Sequence, residues 1–146
     1  MVFIEESRVF IDTDVLVLAY DISQGEKHQI AKNILIKLWD SGKGVISTQV
    51  LSEFFIRITR EIENPLDPDK ATDIVHDLLH WTVIDNDGFS IPDAINIKNK
   101  YALSLRDARI AQAAVTGKAG VLLTGAIKEG GTIEGVRVVD PFGPIY

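Results

Sequence analysis

The sequence predicts an α/β domain in three layers, a parallel-rich sheet of about five strands with helices covering both faces. Two observations carry this. Short apolar runs of strand length alternate with longer segments whose apolar residues recur at helical spacing. The 146 residues are 46% hydrophobic and 25% charged, ordinary proportions for a globular fold, and the length suits one folding unit over residues 1–146.

The elements follow in order. Val9-Phe10-Ile11 is a buried strand, Asp12-Thr13-Asp14 a polar turn, and Val15 to Tyr20 a short helix. From Glu26 to Trp39, Ile30, Ala31, Ile34, Leu35 and Leu38 form the apolar face of an amphipathic helix. Gly42-Lys43-Gly44 breaks it and Val45-Ile46 form a second strand. Ser47 or Thr48 then caps a helix that turns Val50, Leu51, Phe54, Phe55 and Ile58 inward and runs to Asn64-Pro65. Asp67 before Pro68 is a cap followed by a first-turn proline, opening a helix with Ala71, Ile74, Val75, Leu78 and Leu79 on its apolar face. Thr82-Val83-Ile84 is a third strand. Ser90 with Asp93 opens one helix, and Ser104 with Asp107 opens the next, which carries Ile110, Ala111, Ala114 and Val115 and is closed by Gly117 and Gly120. Val121-Leu122-Leu123 is a fourth strand and Val136 to Val139 a fifth, stopped by Pro141. No internal repeat, linker or low-complexity segment interrupts the series.

Composition excludes several classes of function. Without cysteine there are no disulfides, thiolate metal sites or cysteine nucleophiles. The segment Met1 to Phe10 carries Glu5 and Glu6 and lacks a signal-length apolar run, and no later stretch approaches the roughly 20 apolar residues of a membrane span, so the expectation is a cytoplasmic protein with no membrane partner. A net charge of -6 argues against broad binding to nucleic acid, whose backbone is held largely by lysine and arginine. It leaves room for a nucleic-acid enzyme, because carboxylates gathered at a metal site add negative charge that a cation cancels.

In open α/β sheets, sites form at the carboxyl ends of strands and at the helix starts that follow. Asp12 closes the first strand, Glu53 lies just over one turn into the helix after the second, and Asp107 sits in the first turn of the helix before the fourth. Asp14 is a further candidate. Clustered acids without cysteine suit Mg²⁺ or Mn²⁺ better than zinc. Each acid also has a plain structural role: Glu53 precedes Arg57 at the spacing of a surface ion pair, Asp107 completes a capping pattern with Ser104, and Asp12 suits a turn or cap.

It is the set that separates these readings. Val9-Phe10-Ile11-Asp12-Thr13-Asp14-Val15-Leu16, Ile46-Ser47-Thr48-Gln49-Val50-Leu51-Ser52-Glu53-Phe54 and Leu103-Ser104-Leu105-Arg106-Asp107-Ala108-Arg109-Ile110-Ala111 resemble, in order and separation, the three acidic motifs of the PIN-domain family. The likeness continues through Val121-Leu122-Leu123-Thr124 and Gly135 to Phe142, where it resembles the bacterial and archaeal toxin branch. The resemblance implies a toxin-like ribonuclease that uses Mg²⁺ or Mn²⁺, forms a homodimer and pairs with an antitoxin protein. Its catalytic and metal-binding residues are then Asp12, Glu53 and Asp107, with Asp14 and Thr124 accessory. Hydrolysis would be metal-assisted, the cation activating water and neutralising phosphoryl charge. Arg57, Arg60, Arg106 and Arg109, on the helices that carry Glu53 and Asp107, are candidate contacts to RNA phosphates. Phe54, Phe55 and the helix from Glu26 to Trp39 are candidate dimer contributors.

The chain departs from the pattern at defined places. Ala126 stands where the family usually has a fourth acid, Asp14 where asparagine is commoner, and Arg106 and Arg109 flank Asp107 where neutral or apolar residues prevail. Arg106 has two readings, an ion pair with a metal-site carboxylate that competes with the cation, or a phosphate contact. Two other functions stand beside the nuclease: a degraded PIN-like module that binds RNA or protein without cutting, and a haloacid-dehalogenase-like phosphatase suggested by Asp12-Thr13-Asp14-Val15 and by Thr124. The phosphatase reading lacks a late lysine and acidic pair. His76 and His80, one turn apart, have no third ligand and read as surface residues; Gly117-Lys118 lacks the rest of a phosphate loop, and Trp39 and Trp81 read as packing.

Overall fold

A computed structural model describes residues 7–127 and 131–143; the Glu5-Glu6 pair lies outside them. Strands β1 (Val9–Ile11), β2 (Gly44–Ser47), β3 (Thr82–Ile84), β4 (Val121–Leu123), β5 (Thr132–Ile133) and β6 (Val136–Val139) form one sheet in the order β3-β2-β1-β4-β6-β5. All pairings are parallel except β5 with β6. Among the described residues the sheet has six strands, the five named from sequence and one more. The extra strand has only two residues, too short to leave a pattern, and is folded back by Glu134 and Gly135. Both have positive φ, 49° and 85°, as a two-residue hairpin turn of the primed kind requires.

Six α-helices complete the described chain: α1 (Thr13–Leu18), α2 (Glu26–Ser41), α3 (Thr48–Arg60), α4 (Pro68–Leu78), α5 (Ile91–Tyr101) and α6 (Leu105–Thr116). The chain moves outward from β1 to β2 to β3, then returns past β1 to β4. Right-handed crossovers place α1 to α4 on one face and, because the return runs the other way, α5 and α6 on the opposite face. Packing agrees: α1 contacts α2 and α3, α3 contacts α4, and α5 contacts α6.

Several local expectations shift. The turn expected at Asp12-Thr13-Asp14 is the helix start itself, with Asp12 in extended conformation as N-cap of α1. Helix α3 ends at Arg60, before Asn64-Pro65. Ser90 does not cap α5 with its side chain. A 3₁₀ turn over Gly88–Ser90, capped by Asp87, leads into that helix instead, and the Ser90 hydroxyl donates to the Asp87 carbonyl. Leu79 follows the last turn of α4 and is exposed, because the helix face that reaches the core ends with Leu78.

The core runs along the strands and the inner helix faces. Phe10, Ile11, Leu122 and Leu123 are fully buried, each side chain contributing about 1.5–3 kcal/mol. Phe54, expected at a dimer surface, is wholly buried and packs its ring 5.5 Å from that of Tyr20, so it belongs to the core. Trp39 and Trp81 meet edge to face at 5.5 Å, as packing residues do. His76 and His80 are exposed. Among the described residues no helix is long and apolar enough to cross a membrane.

Candidate active site

The strand order reverses direction at β1 and β4, and the candidate acids collect at the carboxyl edge of that pair. Ile11 is in register with Leu123, so the next residues, Asp12 and Thr124, lie side by side. Thr124 donates its hydroxyl to Asp12 Oδ2 at 2.8 Å, and Thr13 N–H donates to Asp12 Oδ1 at 2.6 Å. Both Asp12 and Thr124 are buried to 0% exposure, a position that a carboxylate occupies only when paired.

Glu53 reaches the same point from the second turn of α3, whose start is fixed by the Ser47 hydroxyl accepting from Val50 N–H. Its Oε1 accepts from the Thr13 hydroxyl at 2.7 Å and its Oε2 from Gln49 Nε2 at 3.3 Å. Asp107 arrives from the first turn of α6. Ser104 caps that helix by accepting from Asp107 N–H, while the Asp107 carboxylate faces the site. The capping role and the site role thus use different atoms of one residue.

Arg106 stands among all three acids. Its Nη2 lies 2.8 Å from Asp12 Oδ1 and 2.6 Å from Glu53 Oε1, and its Nη1 lies 3.1 Å from Asp12 Oδ2 and 3.0 Å from Asp107 Oδ1. Nε adds a contact of 3.4 Å to Glu53 Oε2. The ion pair of Glu53 therefore goes to Arg106, across the fold, and not to Arg57 on its own helix. Burial by itself disfavours the charge on Arg106, but hydrogen bonds with Asp12 and Glu53 and their charges raise its pKa above the ordinary arginine value. Burial likewise pushes Glu53 upward, and the hydrogen bonds from Arg106 and Thr13 outweigh it, holding the carboxyl below the usual range.

Asp14 lies beside this cluster and accepts from two backbone N–H groups. Its Oδ1 accepts from Val15 N–H at 2.9 Å and its Oδ2 from Gly125 N–H at 2.8 Å, tying the start of α1 to the loop after β4. Burial and the nearby charge of Asp12 raise its pKa despite those bonds. A Cβ at Gly125 would come within 2.9 Å of Asp14 Oδ2, so a larger residue there would displace that carboxylate.

These residues line an open cleft of about 450 Å³ formed by Asp12, Asp14, Glu53, Ile56, Arg57, Glu61, Arg106, Asp107 and Ala126. Of the four arginines named from sequence, Arg57 and Arg106 border it, whereas Arg60 and Arg109 do not. Sequence reasoning missed Thr13 as the hydroxyl that bridges Glu53 and Arg106, and Glu61 on the cleft wall. Glu61 had a signal: it follows Glu53 and Arg57 at successive four-residue steps on one helix face.

The donor chemistry fits a hard divalent cation, with carboxylates from three separate segments and a threonine hydroxyl converging on one positively charged group. Among the described residues no group of three or more acidic or histidine side chains is spaced to hold an ion directly, and the position between the acids is taken by the Arg106 guanidinium.

Fold and site together define an α/β protein with an acidic cleft at the carboxyl edge of its central strands. The PIN-domain family profile matches residues 9–125, the greater part of the chain, and this protein belongs to that family. Solved structures of similar fold include a toxin-antitoxin complex from Klebsiella pneumoniae, with 21% identity, 92% of this chain and 98% of that one covered, and a TM-score of 0.66. VapC20 from Mycobacterium tuberculosis, described as a toxin that cleaves the sarcin-ricin loop, is 17% identical over 88% of this chain and 98% of its own, with a TM-score of 0.64. VapBC2 from Rickettsia felis, bound to a promoter DNA fragment, is 20% identical over 90% and 96%, with a TM-score of 0.62. No curated protein sequence matches the chain.

Proposed function

We propose that this protein is a metal-dependent endoribonuclease of the PIN toxin type, hydrolysing RNA phosphodiester bonds and held in check by a cognate antitoxin protein. The observation that carries the reading is the convergence of Asp12, Glu53 and Asp107, far apart in sequence, on one cationic group at the floor of an open cleft. A fully buried carboxylate, Asp12, grouped with two partly exposed ones at a cleft is an arrangement that enzymes tolerate for chemistry. Among the proteins of similar fold, a toxin that cleaves the sarcin-ricin loop supports the activity, and a toxin-antitoxin complex supports the antitoxin partner.

In this reading Asp12, Glu53 and Asp107 would hold Mg²⁺ or Mn²⁺, which supplies Lewis acidity, activating water and neutralising phosphoryl charge. Thr124 and Thr13 fix the orientation of Asp12 and Glu53 through their hydroxyls. Arg57, on the cleft wall, is placed to meet a phosphate of the RNA backbone. The homodimer belongs to the same reading, with Phe55, half-buried, and the exposed Ile36 and Trp39 of α2 as its contributors in place of Phe54.

A second reading, a PIN-like module that binds RNA or protein without cutting, is favoured by Ala126 on the cleft wall in place of an acid and by Arg106 in the cation position. Incubating a mixed RNA pool with Mn²⁺ and either wild type or Asp107→Asn decides between them. Cleavage by wild type that is lost in a folded Asp107→Asn supports the nuclease; equal cleavage by both, or none by either, overturns it in favour of the binder.

A further inference from the structure

We propose that Arg106 is an internal counter-cation that the divalent metal must displace, so that metal binding is an exchange in which the guanidinium leaves as the ion arrives. This rests on the reading of the acidic cluster as a metal centre and adds the residue that controls its occupancy.

The contacts make the exchange unavoidable. The guanidinium engages both oxygens of Asp12, both oxygens of Glu53 and Oδ1 of Asp107, which are the donors an ion would need. Asp12 has only 1% of its side chain exposed, so no face of that carboxylate remains for a cation while Arg106 is in place. Each oxygen of Asp12 already accepts twice, Oδ1 from Thr13 N–H and Arg106 Nη2 and Oδ2 from the Thr124 hydroxyl and Arg106 Nη1, so an ion can bind there only in place of the guanidinium.

Charge explains why the exchange can proceed, and for which ions. Three carboxylates and one guanidinium leave the closed site with a formal charge of -2. Replacing the guanidinium by a divalent cation reduces this to -1, whereas a monovalent cation changes nothing and loses the directed hydrogen bonds. The closed state therefore selects against Na⁺ and K⁺ and admits Mg²⁺ or Mn²⁺. It also avoids leaving three carboxylates uncompensated, one of them fully buried, when no metal is present.

Arg106 has a way out. Its side chain is 35% exposed and borders the open cleft, so it can swing toward solvent without disturbing the core. There it would join Arg57 on the cleft wall and present its fork to a phosphate, which would hold it away from the acids. Metal and a phosphate-bearing ligand then bind with positive coupling, because each favours the open position.

Calorimetric titration of Mn²⁺ at fixed ionic strength tests this without any activity assay. Arg106→Gln is expected to bind Mn²⁺ about tenfold or more tightly than wild type, since the closed state no longer reduces the competent fraction. Arg57→Gln removes the same charge from the same cleft and is the control, expected to change affinity by much less. Binding must be lost when Asp12→Asn is added to Arg106→Gln. Without metal, Arg106→Gln is expected to melt below wild type, and saturating Mn²⁺ to raise its melting temperature more than that of wild type. If Arg106→Gln does not fold without metal, Arg106→Lys replaces it, expected to bind more tightly than wild type because a single ammonium cannot span three acids. Equal affinity in wild type and the Arg106 variants, with binding still dependent on Asp12, overturns the exchange and leaves the metal centre standing. An Arg57→Gln effect as large as that of Arg106→Gln reduces Arg106 to a general charge and also overturns it. Absence of Asp12-dependent binding in every variant overturns the metal centre and the exchange together.

Discussion

The two edges of the sheet are built on opposite principles. At the amino edge, where β2, β3 and β4 begin, the chain is closed by steric fit: Gly44 lies directly against the Trp81 ring, Trp81 packs edge to face on Trp39, and Gly120 lies against Ser7. At the carboxyl edge of β1 and β4, a fully buried carboxylate, Asp12, is surrounded by hydroxyls, two further acids and a guanidinium. One edge is stabilised by close packing, which no ligand improves. The other is a balance of charges, and such a balance changes with whatever cation it holds. On the proposed function, the difference separates stability from activity by position, and substitutions at the two edges should have separate consequences.

The largest expected effect falls on the carboxyl edge. Asp107→Asn keeps the shape and leaves the Ser104 cap to the Asp107 N–H intact, so RNA cleavage under Mn²⁺ should fall on the order of a hundredfold or more while the melting curve changes little. Loss of fold along with activity would put the residue in the structural class of the amino edge. The converse is Gly44→Ala, whose new Cβ would collide with Trp81. Overpacking of this kind costs about 1–3 kcal/mol in urea denaturation, and cleavage per folded molecule should be unchanged. If cleavage per folded molecule falls as well, the two edges are coupled and the separation fails.

Ala126→Asp should sharpen the contrast by adding a carboxylate to the cleft wall beside the cluster. Mn²⁺ affinity and cleavage are expected to rise several-fold, with a small loss of metal-free stability from the added repulsion. No gain in either would mean that the cleft lacks more than one ligand. The smallest effect is the pH dependence of Glu53. Its folded pKa lies below the ordinary glutamate value of 4.5, so its ion pair stabilises the fold above that value and the contribution is lost as pH falls through the lower folded value. Wild type should therefore melt roughly 2–4 °C above Glu53→Gln at neutral pH, with the gap closing in acid. Asp14 has the opposite sign: its raised pKa removes stability as pH rises above 3.8, and it does so in both proteins, so the difference between them isolates Glu53. A gap that widens in acid would contradict the assignment.

Much of the fold was legible because local rules were enough. The runs at Val9, Val45, Thr82, Val121 and Val136 became strands, and the helices carrying Ala31, Phe54, Ala71 and Ala111 formed with their apolar residues toward the core. What local pattern misjudged was fine structure: Thr13-Asp14, read as part of a turn and already helical, the 3₁₀ entry before α5, and β5, whose two residues are defined only by the partner they pair with. For the site, the three acids and their order were visible in sequence, as were Arg106 beside Asp107 and Ala126 in place of an acid.

What the sequence alone determined is thus the set of elements, the family likeness and the acids available for chemistry, because each depends on residues within a turn or a strand of one another. Tertiary structure alone decided who pairs with whom. Glu53 had a ready partner four residues away in Arg57, yet its ion pair is with Arg106, which also reaches Asp12 across 94 positions of chain. Sequence left Arg106 as either a metal competitor or a phosphate contact. The sheet settled its position in this structure, because parallel strands β1 and β4 end side by side and bring the start of α6 over the buried Asp12, where an uncompensated negative charge draws in the nearest cation.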